Sequence, residues 1–140
     1  MVTFVCGQLC SGKTVYSKAL AALTNGVFIE VGDIVREIKQ TNERKELQKT
    51  KELYEEIAEQ LIRRMPLSDV KDYVVSGVRQ KEILKYFPEA TVLWIECPKK
   101  TRKLRYKERA REGDVISFKD ADQGDIDLGI LEVKKYIFNK

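Results

Sequence analysis

The chain has 140 residues, 43% hydrophobic and 34% charged, the proportions of a soluble globular protein with a single core. No apolar run approaches the roughly 20 residues of a membrane span, and a net charge of +4 excludes a general polycationic coat. With no histidine, a Ser-His-Asp triad, a His general base and a His-rich metal site are excluded, so proton transfer falls to carboxylates.

Three cysteines, odd in number and not spaced like zinc ligands, point to a reducing compartment, and the amino terminus lacks a basic segment and cleavage site. The cytoplasm is the expected setting. The positive balance is local. Lys99 to Arg111 holds eight basic residues against Glu108, while the remainder carries 18 basic and 21 acidic residues.

The first predicted element is a buried strand over Thr3–Cys6. Gly7-Gln8-Leu9-Cys10-Ser11-Gly12-Lys13-Thr14 follows and reads G-x-x-x-x-G-K-[ST], with a helix expected from Val15 to Leu23. The spacing has a physical basis. Gly7 and Gly12 lack a Cβ, so the backbone turns tightly and aims its N–H groups, with those of Cys10 and Ser11, at phosphate oxygens. The helix N-terminus adds partial positive charge there. Lys13 reaches β- and γ-phosphates and the Thr14 hydroxyl ligates Mg²⁺. A nucleoside triphosphate, ATP with Mg²⁺, is the expected ligand.

Asn25-Gly26 marks a turn, and Val27–Val31 reads as the second strand. Asp33 is expected to cap the helix that continues through Ile34, Val35 and Ile38. At the carboxyl edge of a strand it also stands where ligands of open α/β sheets bind. Arg36, one turn on, is placed to clamp an anion. Glu43 to Met65 reads as a long amphipathic helix with Leu47, Tyr54, Ile57, Ala58, Leu61 and Ile62 on its apolar stripe, ended by Pro66.

Tyr73–Gly77 reads as a third strand leading to a helix that stops near Pro88, with Arg79 just past the strand's carboxyl end. Thr91–Cys97 is a fourth strand, broken by Pro98. In the basic helix that follows, Arg102, Arg105 and Arg109 share one face at i, i+3, i+7. Such cations repel one another unless an anion arrives. Gly113-Asp114 ends that helix. Asp120 to Asp127 looks at first like a calcium loop, but the ligand spacing fails and an EF-hand is rejected. Tyr136-Ile137-Phe138 reads as a fifth short strand.

Alternation of strand and helix over five strands implies an α/β parallel sheet with helices on both faces. No guanine-reading N-K-x-D is present, which argues against a GTPase, and the strand ends do not supply the acid of a motor or helicase. The phosphate loop, VGDIVRE (31–37), VVSGVRQKE (74–82) and TRKLRYKER (101–109) together resemble the P-loop nucleotide kinases. That group includes nucleoside monophosphate kinases, dephospho-coenzyme-A-kinase-like proteins and small phage deoxynucleotide kinases. The resemblance implies a three-layer, adenylate-kinase-like fold with five parallel strands, one P-loop kinase domain over residues 1–140, and a minimal lid over about 99–127.

The resemblance further implies that Lys13 and Thr14 hold phosphate and Mg²⁺, with Asp33 near the acceptor or the metal through water. Arg36, Arg79 and Arg102 would meet the acceptor, and Arg105 and Arg109 the transferring phosphoryl. The implied activity is γ-phosphoryl transfer to a nucleotide-type acceptor. A hydroxymethylated base within DNA, as for a related phage group, and a non-catalytic ATP-binding switch are the alternatives. Ser76 stands where the group often has an acid before the glycine, which weakens a metal role for that position.

Overall fold

The computed structural model describes residues 1–40, 48, 51–66, 71–109 and 116–139. Four short apolar runs form its sheet: β1 (Val2–Gly7), β2 (Val27–Glu30), β3 (Tyr73–Ser76) and β4 (Thr91–Ile95). All pair in parallel in the order β2-β3-β1-β4. The register sets Val5 opposite Ser76 and Leu93, and Glu30 opposite Ser76. The carboxyl ends of β1, β2 and β3 therefore come level at one edge, where a doubly wound sheet binds its ligand.

Side chains alternate across a strand, so each face needs its own cover. On one face Phe4, Cys6, Tyr73 and Val75 pack with Ile34 and Val35 of α2 (Val31–Lys39) and Ile57 and Leu61 of α3 (Tyr54–Arg64). Leu84 of α4 (Lys81–Leu84) and Ile130 and Val133 of α7 (Ile130–Phe138) join them. On the other face Val5 and Val74 meet Ala21 of α1 (Lys13–Leu23). A smaller cluster of Leu9, Tyr106, Phe118 and Ala121 joins the loop after β1 to α5 (Lys99–Arg109) and α6 (Phe118–Leu128). No helix among the described residues is long and apolar enough to cross a membrane.

The expected α/β parallel architecture is present, with four strands among the described residues instead of five. The segment read as a fifth strand is helical. Tyr136, Ile137 and Phe138 look extended as three contiguous apolar residues, but over the longer window Ile130, Val133 and Ile137 recur at i, i+3, i+7. Gly129, at φ 127°, breaks the chain between α6 and α7 and lets this stripe turn onto the sheet.

The second strand stops at Glu30, and α2 starts at Val31. Its N-cap is Glu30, whose carboxylate accepts from Gly32 N at 3.3 Å, so Asp33 lies inside the first turn instead of capping it. The long polar helix is described only as a 3₁₀ turn, Lys51–Leu53, running into α3. Residues 43–47, Leu47 among them, and 49–50 lie outside the described residues, as does the basic helix's expected end at Gly113. Ile57, Ala58 and Leu61 are buried as expected, whereas Ile62 faces outward.

Two expected outcomes follow from this packing. Ile130 is fully buried, and truncating it to Ala should cost about 2–5 kcal/mol, measured by urea denaturation. Phe138, two-thirds exposed, should cost no more than about 0.5 kcal/mol on change to Ser. If the two variants unfold alike, the helical assignment of this segment fails. The cysteines also differ: Cys6 is fully buried and burial pushes its thiol up to about 12, while Cys10 and Cys97 are half-buried. At pH 8 only about 10⁻⁴ of Cys6 is thiolate. An aromatic disulfide reagent should label Cys10 and Cys97 in the folded protein and reach Cys6 only in urea, as read by peptide mapping.

Candidate active site

Between β1 and α1 the chain makes the turn the glycine spacing anticipates. Ser11 N donates to Gln8 O at 3.1 Å, Cys10 sits at φ 61° and Gly12 at φ 95°. Gly12 is the left-handed residue immediately before the first turn of α1, where the amides of an unsatisfied helix N-terminus point outward. No side chain caps that end. The loop is therefore built to receive an anion.

Lys13 is nearly buried, and its Nζ donates to Gln8 O at 3.4 Å. Burial lowers its pKa, and the neighbouring Arg79 guanidinium lowers it further. Asp125 and Glu30 work in the opposite sense. The charge of Lys13 is thus held in a setting of two cations and two carboxylates.

Glu30 is a residue beside the loop that sequence reasoning missed. Its Oε2 accepts from Thr14 Oγ1 at 3.4 Å, while Oε1 caps Gly32. Gly77, at φ 96°, leaves it room, because a Cβ there would collide with Glu30 Oε1. Read as one more strand residue, it carried a single available signal: an acid at the carboxyl end of a strand beside the loop.

A cleft of about 440 Å³ opens over the loop, lined by Cys10, Gly12, Lys13, Thr14, Val15 and, from α5, Arg105, Glu108 and Arg109. Arg105 Nη1 donates to Cys10 O at 3.3 Å and to Cys97 Sγ at 3.5 Å. A Cβ on Gly12 would lie 3.3 Å from that same nitrogen. Arg109 stacks on the Tyr106 ring at 5.3 Å. Two arginines of the basic helix therefore line the cleft over the phosphate loop, and Arg105 touches the loop itself.

The third does not line that cleft. Arg102 is buried, with Nη1 donating to Asp122 Oδ1 at 2.7 Å and to Leu9 O at 3.2 Å, and its guanidinium 5.5 Å from the Phe118 ring centroid. Arg79 follows β3, and its Nε lies 3.1 Å from Asp125 Oδ1, a carboxylate that holds its pKa above the ordinary value. Asp33 and Arg36 pair with each other at 3.0 Å, the carboxylate largely exposed. A Cβ on Gly32 would lie 3.1 Å from Arg36 Nη1 and 3.5 Å from Glu30 Oε1, which sets this pair beside the same acid.

The donor set also bears on a metal. Among the described residues no group of three His, Cys, Asp or Glu side chains is arranged to hold an ion. What is present is a hydroxyl, Thr14, facing a carboxylate, Glu30. Hard oxygens in such small number fit Mg²⁺ shared with phosphate oxygens and water, and not a cation caged wholly by protein.

The fold has neighbours among solved structures. Shikimate kinase from Acinetobacter baumannii in complex with shikimate superposes with a TM-score of 0.66 at 15% identity, over 99% of this chain and 78% of that one. Shikimate kinase from Bacteroides thetaiotaomicron gives 0.67 at 16%, over 99% and 82%. A gluconokinase from Sinorhizobium meliloti gives 0.58 at 17%, over 91% and 74%. At such identities the likeness is one of fold. None of the curated proteins compared with the sequence matches it. The model of the AAA domain family matches residues 4–125, nearly the whole span from β1 to the end of α6, and the chain belongs to that family.

Proposed function

We propose that the protein is a Mg²⁺-dependent phosphotransferase that moves the γ-phosphoryl of ATP to a nucleotide-type acceptor. The observation that carries this reading is the cleft shared by Lys13 and Thr14 of the phosphate loop with Arg105 and Arg109 of α5. A loop that only stores a nucleotide has no need of cations from a distant helix. Phosphoryl transfer does, because its transition state spreads charge over three equatorial oxygens and is stabilised mainly by positioned positive charge.

In the proposed mechanism the loop amides and Lys13 hold the β- and γ-phosphates. Arg105 exchanges its contacts with Cys10 O and Cys97 Sγ for phosphoryl oxygens, and Arg109 closes the outer side. Thr14 and Glu30 would hold Mg²⁺, which supplies charge neutralisation at the phosphates. Arg79 and Arg36 are the acceptor-side cations, and Asp33 orients the acceptor. An anionic acceptor needs no strong base, which suits a chain without histidine. Helices α5 and α6 act as the minimal lid.

A hydroxyl-bearing acceptor is the second reading. It is favoured by the exposed Asp33 carboxylate beside the Arg36 guanidinium, a base and an anion clamp together. Labelled γ-phosphate transfer from ATP across deoxynucleoside monophosphates, shikimate and hydroxymethyluracil-containing DNA separates the two. Label on the monophosphates supports the first reading, and label only on a hydroxyl acceptor replaces it with the second. Tight ATP binding with no labelled product from any of them would leave only a nucleotide-binding switch.

Lys13→Ala and Arg105→Ala should each lose about 10²-fold or more in kcat, as for removal of one preorganised charge donor. Unchanged turnover in either variant contradicts the site. Asp33→Asn should leave ATP affinity intact. Under the first reading it lowers kcat only modestly, and under the second it abolishes transfer, which single-turnover kinetics would resolve.

A further inference from the structure

The acidic run that failed as a calcium loop has a use the sequence did not reveal. On α6 the acids divide by face: Asp120 and Asp127 are exposed, whereas Asp122 and Asp125, three residues apart, are buried. Each buried acid takes an arginine from a different element. Asp122 holds Arg102 of α5 at 2.7 Å, and Asp125 holds Arg79 from the turn after β3 at 3.1 Å.

We propose that the buried face of α6 is the positioning element of the acceptor site, with Asp125 aiming Arg79 and Asp122 fixing Arg102 as an anchor of the phosphate loop. The proposal rests on the phosphotransferase reading. Arg102 is committed: its Nη1 serves both Asp122 and Leu9 O, and it is only 4% exposed. Arg79 differs. One-fifth of its side chain is exposed, and it lies near enough to Lys13 to depress that amine.

An untethered arginine there would swing away from Lys13 by like-charge repulsion and by the freedom of its long side chain. Asp125 Oδ1 lies 3.1 Å from Nε, and an arginine held by that edge can fork an incoming phosphate with its Nη pair. Gly129, which ends α6, packs close to the same turn: a Cβ there would lie 3.2 Å from Arg79 O. Backbone and side chain of residue 79 are thus both set by this one helix.

The test compares wild type with Asp125→Asn, Asp125→Glu, Arg79→Ala and the Arg79→Ala/Asp125→Asn double variant. Asp120→Asn, which removes an exposed charge from the same helix, is the control. Transfer from ATP to the deoxynucleoside monophosphates gives KM and kcat, and a fluorescent ATP analogue gives donor affinity. Asp125→Asn should raise acceptor KM about 10-fold or more, a larger factor than any weakening of donor affinity through Lys13. Asp125→Glu should recover part of the loss. Because Asp125 Oδ1 also accepts from Gln48 Nε2 at 2.9 Å and bears on Lys13, the double variant should raise acceptor KM by less than the two single losses combined.

Unchanged acceptor KM in Asp125→Asn, additive losses in the double variant, or an equal loss in Asp120→Asn would overturn the proposal. Should the wild type phosphorylate none of the monophosphates, the nucleotide reading falls, and inorganic phosphate decides the inference. Its binding to the ADP-loaded protein, followed by phosphorus line broadening, should be lost alike in Arg79→Ala and Asp125→Asn. Phosphate binding retained by Asp125→Asn, or absent from the wild type, overturns it.

Discussion

A lysine that must serve a phosphate has to be kept charged where water is largely excluded, and much of this molecule follows from that requirement. Desolvation of an ammonium is costly, and burial lowers the pKa of Lys13 more than any other influence on it. Arg79 adds a second cation to the same region. Against them stand Glu30, from the end of β2, and Asp125, from α6. The sheet register brings the first acid level with the loop, and the packing of α6 brings the second. The fold thus supplies compensating charge from two elements that are far apart in sequence.

That arrangement is balanced without being saturated. Pairing Lys13 tightly with a carboxylate would neutralise the charge a phosphate needs, and its Nζ instead donates to a backbone carbonyl, Gln8 O, at 3.4 Å. Glu30 spends its oxygens on Thr14 and Gly32. The loop cation therefore keeps its capacity for a ligand, while the acids act on it across space. This is the condition under which preorganised charge stabilises an anion without prior rearrangement.

The residues that were legible in the sequence are those whose role is imposed on the backbone. Gly12 must adopt a positive φ before α1, so its identity and spacing announce the loop, and Lys13 and Thr14 come with it. The strands were legible as apolar runs because two covered faces demand them. Glu30 was not, since its place beside the loop comes from being level with Ser76 across a strand pair, and register is invisible in a single sequence. Asp122 and Asp125 were hidden by their neighbours: Asp120 and Asp127 make the run look solvated, and only helical phase sorts them. The same phase separates Arg102 from the two arginines it seemed to accompany. With Tyr106 four residues on, it lies on the buried side of α5.

That separation divides the basic helix along its length. Its beginning is anchored, because Arg102 ties the helix to α6 through the buried Asp122 carboxylate and to the loop through the Leu9 carbonyl. Its middle and end are exchangeable. Arg105 is exposed and donates, among the described residues, to a carbonyl and a thiol sulfur at 3.3 and 3.5 Å, both poorer acceptors than a phosphate oxygen. In the proposed transfer, binding therefore requires no large swing of the helix. Arg105 trades weak partners for strong ones within the cleft it already lines, and the anchored turn beneath it keeps that exchange in register with Lys13.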